Sequence, residues 1–191
     1  MRIGVLAVQG DFIEHASVLR QLEAEALPVR LPQELDGLDG LIIPGGESTA
    51  ISRLMLSYGL TQAIRDLARD GLPILGTCAG MILLAKRVHE LGVEPIGAMD
   101  IEVRRNAFGR QVDSFETDLA IPALGQEPFH AVFIRAPLVE GASPEVEILA
   151  KVEGGAGVAA RQGKLVVSAF HPELTDDPRF HAYFLSIVGA G

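Results

Sequence analysis

Short apolar runs alternate with amphipathic stretches through the first half of the chain. Near-continuous apolar runs are typical of strands buried on both faces of a parallel sheet, and they predict strands over residues 3–8, 41–43 and 72–75. A further short strand is predicted over residues 29–31, where Pro32 ends it. Helical spacing of apolar residues predicts helices over residues 12–26, 50–58, 61–70 and 79–88. This alternation predicts a parallel α/β sheet with right-handed crossovers.

The second half of the chain consists mainly of predicted strands separated by turns that contain glycine or proline. These strands cover residues 101–105, 112–120, 129–134 and 146–152. Gln162 and Gly163 are typical of a hairpin turn between strands over residues 157–161 and 164–170. Asp177 and Pro178 predict the N-cap and first turn of a final helix over residues 179–188. We therefore expect one α/β domain over residues 1–191, with a mainly parallel central sheet, flanking helices and added antiparallel strands.

Composition restricts the classes of partner and site. Lysine plus arginine number 16 and aspartate plus glutamate 25, which gives a net charge of −9. This acidity argues against nucleic acid or an anionic membrane as the main partner. The single cysteine excludes an internal disulfide and a cysteine-based zinc site, and we expect neither a metal nor a cofactor. No apolar run is long enough to span a bilayer, and the first ten residues do not resemble a signal peptide, so we expect a cytoplasmic protein.

Cys78 lies at the junction between a predicted strand and a predicted helix. Gly76 and Gly80 flank it and allow a sharp turn, as in the nucleophile elbow of hydrolases, with a thiol in place of the hydroxyl. A thiol at a helix N-terminus faces the positive end of the helix dipole, which favours the thiolate. The N–H of Ala79 has no acceptor within the helix and can bind an oxyanion. A lone cysteine is more often a small buried hydrophobe, but the two glycines at this junction favour a nucleophile.

Five histidines are candidates for the base that would activate Cys78. Three lie within or at the ends of predicted helices, where we expect solvated side chains: His15, His89 and His181. His130 lies at the start of a predicted strand. His171 instead follows an apolar strand directly, at the edge of an α/β sheet where ligand sites lie, and Glu173 can fix its tautomer and stabilise the imidazolium. The alternative is that residues 171–173 form only a strand-terminating turn; otherwise they complete a set of thiol, base and orienting carboxylate.

Residues 44–48 follow another predicted core strand. The consecutive glycines Gly45 and Gly46 let the backbone approach a substrate closely, and backbone N–H groups there can bind an anion. The alternative is an ordinary strand-to-helix turn with Ser48 or Thr49 as the N-cap, and both interpretations can hold together. No Gly-Lys-Ser/Thr sequence follows, so nucleotide binding is not supported. Arginines in segments 104–110 and 133–137 have the chemistry to bind carboxylates, although solvated arginines are more common.

These motifs together resemble those of the class I, triad-type glutamine amidotransferases. The matching features are the elbow at residues 76–80, the strand-end loop at 44–46, and His171 with Glu173. Within that family the chain is similar to the glutaminase subunits of pyridoxal 5′-phosphate synthases. The similar segments are residues 8–10, 14–15, 44–49, 105–115, 133–137 and 170–175, and the resemblance extends from Ile3 to about Val188.

The resemblance implies a flavodoxin-like fold and the hydrolysis of L-glutamine to L-glutamate and ammonia without a cofactor. Cys78, His171 and Glu173 would form the catalytic triad, and the reaction would pass through a glutamyl thioester. Backbone N–H groups of Gly46 and Ala79 would form the oxyanion hole. The residues that would bind glutamine are Gly46, Glu47, Ser48, Arg105, Ile134 and Arg135.

The resemblance also implies a partner. A separate (β/α)8-barrel synthase subunit would consume the ammonia to build pyridoxal 5′-phosphate (vitamin B6) within a hetero-oligomeric complex. Members of this family resemble one another in having low activity until they dock, because a peptide of the oxyanion hole must reorient. Gln9, Gly10 and the first helix form the candidate docking surface.

Three alternatives compete with this interpretation. The nearest is the glutaminase subunit of another ammonia-channelling synthase, such as imidazole glycerol phosphate synthase, and the segments 105–115 and 133–137 argue against it. A cysteine-elbow protein of the chaperone or peptidase type would not explain His171 and Glu173. A structural or regulatory subunit with a degenerate site would not be expected to retain the full set with Cys78.

Overall fold

The computed structural model describes residues 1–89, 92, 94–105 and 114–190. The strands found there are β1 (Arg2–Leu6), β2 (Glu25–Val29), β3 (Gly40–Ile43), β4 (Ile74–Thr77), β5 (Ala85–His89), β6 (Met99–Arg104), β7 (Ser114–Leu119), β8 (Phe129–Ile134), β9 (Leu138–Ala142), β10 (Glu147–Lys151), β11 (Gly157–Gln162) and β12 (Leu165–Ser168). The α-helices are α1 (Phe12–Gln21), α2 (Ser48–Ser57), α3 (Leu60–Arg69), α4 (Ala79–Leu84) and α5 (Arg179–Gly189). Short 3₁₀ turns cover Pro32–Leu35, Pro122–Leu124 and Pro172–Leu174.

Ten of the described strands form one sheet in the order β2-β1-β3-β4-β12-β11-β9-β6-β5, with β10 also paired to β11. One half is parallel: β1 pairs with β2 and β3, and β4 pairs with β3 and β12. The hairpin β11–β12 opens an antiparallel half that continues through β9 to β6, while β5 is parallel to β6. Strands β7 and β8 form a separate antiparallel pair. The predicted fold class, a mainly parallel sheet with added antiparallel strands, is confirmed.

Helices cover both faces of the parallel half. Side chains of adjacent strand residues point to opposite faces of a sheet. The contacts of Gly76 and Thr77, neighbours in β4, therefore show which helices lie on each face. A Cβ at Gly76 would contact Gly80 of α4, whereas Thr77 Oγ1 lies 3.1 Å from Nε2 of His15 on α1. His15 in turn contacts His181 of α5. Helix α4 therefore covers one face, and α1 and α5 cover the other.

The parallel strands are buried as their apolar runs predict. Leu41, Ile42 and Ile43 of β3 are all fully buried, and burying one such side chain contributes about 1.5–3 kcal/mol. Four phenylalanines pack together with ring centroids 5.1–6.1 Å apart, namely Phe129, Phe133, Phe170 and Phe180. Because Phe170 directly precedes His171, this cluster anchors the segment that carries the candidate base.

Two predicted helices are too long. The prediction of a helix over residues 79–88 is wrong beyond Leu84, because Ala85 is extended and begins β5, which pairs with β6. The carbonyl of Leu83 accepts the N–H of Ile96 at 2.7 Å, so tertiary contacts end the helix despite its good helix formers. The first helix ends at Gln21 rather than at residue 26, since Glu23 is left-handed (φ 58°) and residues 25–29 pair with β1.

Smaller differences concern the ends of elements. The pattern predicts a strand over residues 29–31 where the structure has β2 at Glu25–Val29, and it predicts neither β5 nor β9. Pro178 rather than Asp177 occupies the N-cap position of α5, although Asp177 Oδ1 accepts the Arg179 N–H at 3.0 Å. Among the described residues, no helix has the length and apolar character needed to cross a membrane.

Candidate active site

Four loops meet at the carboxyl ends of the parallel strands, the edge where open α/β sheets bind ligands. The loop after β1 meets the loop after β3, because the N–H of Asp11 donates to the carbonyl of Gly45 at 3.2 Å. The N–H of Cys78, after β4, donates to the carbonyl of Ser168 at 2.7 Å. The loop after β12 contacts the loop after β3, because His171 packs against the backbone of Gly45. A Cβ added to Gly45 would lie only 2.4 Å from Cε1 of His171.

Cys78 has the backbone of a nucleophile elbow. It lies between β4 and α4 with φ 48° and ψ −100°, a strained conformation of the kind that clusters at functional sites. Its Sγ lies 3.8 Å from the carbonyl oxygen of Ile134, and the residue is 7% exposed. Ala79 is the first residue of α4, and N–H groups in a first turn have no acceptor within the helix. The predicted elbow and its flanking glycines are thus present.

His171 and Glu173 lie next to Cys78, as predicted. Nδ1 of His171 lies 2.7 Å from Oε1 of Glu173, and the imidazole lies close enough to Cys78 for the two side chains to interact electrostatically. The backbone N–H of His171 donates to the carbonyl of Val132 at 2.8 Å, which fixes the segment against β8. Both His171 and Glu173 are buried. A second carboxylate, that of Asp11, lies 3.5 Å from the same Nδ1.

The electrostatics of this cluster hold a proton on the imidazole. Burial of His171 disfavours the charged ring, but the nearby side chain of Cys78 and the hydrogen bond and charge of Glu173 outweigh burial and raise the pKa of His171 to about 10. Burial raises the pKa of Glu173, and the hydrogen bond and charge of His171 oppose that rise. At neutral pH, a protonated imidazole therefore lies between the side chains of Cys78 and Glu173.

The loop after β3 is fastened to the loop after β1. Gly46 has φ 148° and is exposed, and the N–H of Glu47 donates to Oε1 of Gln9 at 2.9 Å. The carboxylate of Glu47 caps α2 by accepting two backbone N–H groups of its first turn, so the cap is Glu47 rather than the predicted Ser48 or Thr49. A trans peptide directs its N–H opposite to its carbonyl, so the Gly46 N–H points away from Asp11. Gly10, whose φ is 102°, packs against the carbonyl of Gly45.

The other predicted substrate-binding residues differ in their placement. The guanidinium of Arg105 lies 3.5 Å from Oε1 of Glu47, at the rim of the site. Ile134 lies beside Cys78 and is 39% exposed, while Arg135 is exposed and left-handed with φ 43°. Ser48 is only 3% exposed at the start of α2. Of the segment 105–115, residues 106–113 lie outside the described residues.

Two histidines expected to be solvated are fully buried. His15 and His181 are 0% exposed, and the expectation for both was wrong. His89 and His130, by contrast, have exposed side chains. Helical spacing contained the missing signal: the buried residues of α1 include Val18 and Leu19, at i+3 and i+4 from His15. His15 and His181 are hydrogen-bonded to each other, and His15 reaches the back of Glu173.

One group of residues has the composition of a metal site. Ligand atoms of Asp11, His171 and Glu173 all lie within 4.8 Å of one another. Nδ1 of His171 is hydrogen-bonded to Glu173 in this arrangement, so a metal bound through Nδ1 would replace the contact that orients the imidazole.

Comparisons with known proteins place these features in a family context. A model of the SNO glutamine amidotransferase family matches residues 5–189. A curated relative from Herpetosiphon aurantiacus, pyridoxal 5′-phosphate synthase subunit PdxT, is 57% identical over 98% of this chain and 100% of its own. PdxT of Carboxydothermus hydrogenoformans is 55% identical over 100% of both chains. A solved structure described as a glutamine amidotransferase superposes with a TM-score of 0.92 at 49% identity, covering 98% of each chain.

Proposed function

The chain belongs to the SNO glutamine amidotransferase family, and from this premise we propose that it is the glutaminase subunit of a pyridoxal 5′-phosphate synthase. The observation that carries the proposal is a strained elbow cysteine, Cys78, beside a buried His171 whose Nδ1 lies 2.7 Å from Oε1 of Glu173. The names of the relatives that span this whole chain support the synthase assignment over the imidazole glycerol phosphate alternative. We also infer one glutaminase domain over residues 1–191.

The first chemical step forms a thioester. The Cys78 thiolate attacks the side-chain amide carbon of L-glutamine and forms a C–S bond, and negative charge develops on the amide oxygen. The N–H groups of Gly46 and Ala79 stabilise this oxyanion. The protonated His171 gives its proton to the amide nitrogen, the C–N bond breaks, and ammonia leaves.

The second step releases glutamate. His171, now neutral, takes a proton from a water molecule that attacks the thioester carbon. The C–S bond breaks, glutamate departs and the protonated imidazole is restored. Glu173 keeps Nδ1 protonated and the ring oriented throughout the cycle, which agrees with the short contact and the burial of both groups.

Substrate recognition is assigned to the rim of the site. Arg105 and Arg135 are the cations proposed to pair with the α-carboxylate of glutamine. Glu47, which lies 3.5 Å from Arg105, is proposed to face the α-ammonium. The backbone at Gly46, Ser48 and Ile134 completes the proposed pocket around Cys78.

The ammonia is proposed to pass to a separate (β/α)8-barrel synthase subunit in a hetero-oligomeric complex. Gln9, Gly10 and α1 are the proposed docking surface. Two features support this surface: Ile13 on α1 is 64% exposed, and Gln9 bonds the N–H of Glu47 directly after Gly46. A partner that moved Gln9 would therefore act on the proposed oxyanion peptide.

Glutamate release from L-glutamine tests this function. The wild-type chain, Cys78→Ala and a surface control, Ser57→Ala on the exposed end of α2, are each assayed with and without the synthase subunit from the same organism. We expect hydrolysis that rises strongly with the synthase, survives in Ser57→Ala and is lost in Cys78→Ala. Equal hydrolysis by the wild type alone would overturn the dependence on docking, and hydrolysis by Cys78→Ala would overturn the assignment of the nucleophile.

A further inference from the structure

Glu173 presents its two carboxylate oxygens to two different histidines. Oε1 lies 2.7 Å from Nδ1 of His171, while Oε2 lies 3.3 Å from Nε2 of His15. The side chains of Glu173 and His15 are both fully buried. Nε2 of His15 also lies 3.1 Å from Oγ1 of Thr77, the residue that precedes Cys78. His15 thus lies behind the candidate triad, on the side away from the thiol.

The protonation pattern of this buried group follows from its contacts. Nδ1 of His15 lies 2.9 Å from Nε2 of His181, and Nδ1 of His181 is buried without a hydrogen-bond partner among the described residues. If His15 donated through Nδ1, His181 would carry a buried, unpaired N–H, and the lone pair of His15 Nε2 would face a carboxylate. If His181 donates through Nε2, the unpaired atom is a lone pair, and His15 directs an Nε2–H toward Thr77 and Glu173. The second pattern is favoured because it leaves no buried N–H unpaired and no lone pair of His15 directed at the carboxylate.

We propose that His15, oriented by His181, is a positioning residue that holds the carboxylate of Glu173 in place for His171. This inference rests on the proposed glutaminase function. Oε2 of Glu173 is a buried atom with no hydrogen-bond partner of good geometry among the described residues, and Nε2 of His15 is a polar atom that faces it at 3.3 Å. Without His15, the carboxylate would be free to rotate away from Nδ1 of His171 or toward other polar groups.

A neutral donor suits this position better than a cation. Burial, followed by the charges of His181 and His171, lowers the pKa of His15 well below its ordinary value, and burial lowers the pKa of His181 to about 4. A neutral imidazole orients the carboxylate through its N–H dipole but leaves the negative charge of Glu173 available to the imidazolium of His171. Lysine or arginine there would neutralise that charge.

The test compares His15→Leu, which removes the N–H, with His15→Gln, whose side-chain amide can direct an N–H toward Glu173. Assayed with the synthase subunit, His15→Leu should lower kcat about tenfold, because the 3.3 Å polar contact that orients the Glu173 carboxylate is lost. KM should change less than kcat, because His15 does not reach the glutamine pocket. His15→Gln should recover most of kcat. His89→Leu, an exposed histidine on β5, is the matched control and should leave kcat unchanged.

A second readout needs neither the partner nor turnover. The Nδ1–H of His171, hydrogen-bonded to Glu173, should give a downfield proton NMR resonance in the free chain, which should move or vanish in His15→Leu and persist in His15→Gln and His89→Leu.

Loss of stability in His15→Leu with kcat and this resonance retained would overturn the proposal, leaving His15 a packing residue. If His15→Leu does not fold, His15→Gln and His181→Phe decide: a several-fold lower kcat in His181→Phe supports the proposal, and an unchanged one overturns it. Absence of glutamate release by the wild-type complex would overturn the proposed function, while the resonance in the free chain still decides the positioning role.

Discussion

Gly80 packs so closely on the backbone of Ile43 that a Cβ at Gly80 would lie 2.0 Å from the Ile43 carbonyl oxygen. This contact seats the first turn of α4 against the end of β3 and fixes the position of the elbow. Cys78, two residues earlier, takes its strained backbone from the same junction. The geometry of the nucleophile therefore depends on the absence of a side chain at residue 80.

Gly80→Ala should lower the free energy of unfolding, because the Cβ meets backbone atoms that cannot move aside without shifting a strand. Overpacking of this kind costs about 1–3 kcal/mol, and urea unfolding followed by circular dichroism measures it. Gly189→Ala is the control, since a Cβ at Gly189 meets no atom within 4 Å. Equal stability of the two variants would contradict the proposed packing of the elbow.

Gly45→Ala should impair catalysis more than stability. The added Cβ would lie 2.4 Å from Cε1 of His171, and the imidazole is a side chain that can swing away. Misplacing a reacting group by about 1 Å costs on the order of a hundredfold in rate. Steady-state glutamate release gives the rate, and Gly189→Ala again controls for the added methyl group. An unchanged kcat would mean that His171 tolerates displacement, against the proposed role of Glu173.

The two buried histidine environments should titrate in opposite directions. NMR titration of the imidazole Cε1–H resonances should show His171 protonated up to a pKa of about 10 and His181 neutral down to a pKa of about 4. Between pH 6.5 and about 10, folded His171 binds more protons than the unfolded chain, so its contribution to stability is complete below pH 6.5 and is lost as the pH rises. Between pH 6.5 and about 4, buried His181 binds fewer protons than the same residue in the unfolded chain. Its contribution to stability therefore becomes unfavourable as the pH falls. Midpoints near 6.5 for both would contradict the description of the cluster.

Gln9→Ala should weaken the stimulation of glutaminase activity by the synthase subunit. The substitution removes the side-chain oxygen that accepts the Glu47 N–H. Loss of one such hydrogen bond costs about 1 kcal/mol net, which corresponds to a roughly fivefold lower stimulation. The comparison is Gln62→Ala on α3, a glutamine bonded only locally to Asp66 and Arg65 among the described contacts. Stimulation by the synthase that is the same for Gln9→Ala and wild type removes Gln9 from the coupling.

The features that could be predicted from the sequence depend on neighbours in the chain. Continuous apolar runs identify β3 and β4 because strands buried on both faces have no polar face. Glycines on both sides of Cys78 identify the turn, and the two-residue spacing of His171 and Glu173 at a strand end places them together.

The features that could not be predicted depend on distant pairing. Helix α4 ends early because β5 finds a partner in β6, a contact that outweighs helix propensity. His15 is polar and lies on a surface-type helix, so its burial depends on Thr77 and His181, which are 62 and 166 residues away in the chain. Periodicity of α1 and α5 indicates their inner faces, but not the polar contacts that make burial of a histidine acceptable.

Transfer of isotope tests the central claim most directly. The chain and the synthase subunit are incubated with the sugar phosphate substrates, glutamine labelled with ¹⁵N at the side-chain amide, and an excess of unlabelled ammonium, and the pyridoxal 5′-phosphate formed is analysed by mass spectrometry. We predict that the product carries the label with the wild-type chain and only unlabelled nitrogen with Cys78→Ala. Product without label from the wild type, or label that persists in Cys78→Ala, would contradict the assignment of this chain as a cysteine-dependent glutaminase that delivers ammonia to the synthase.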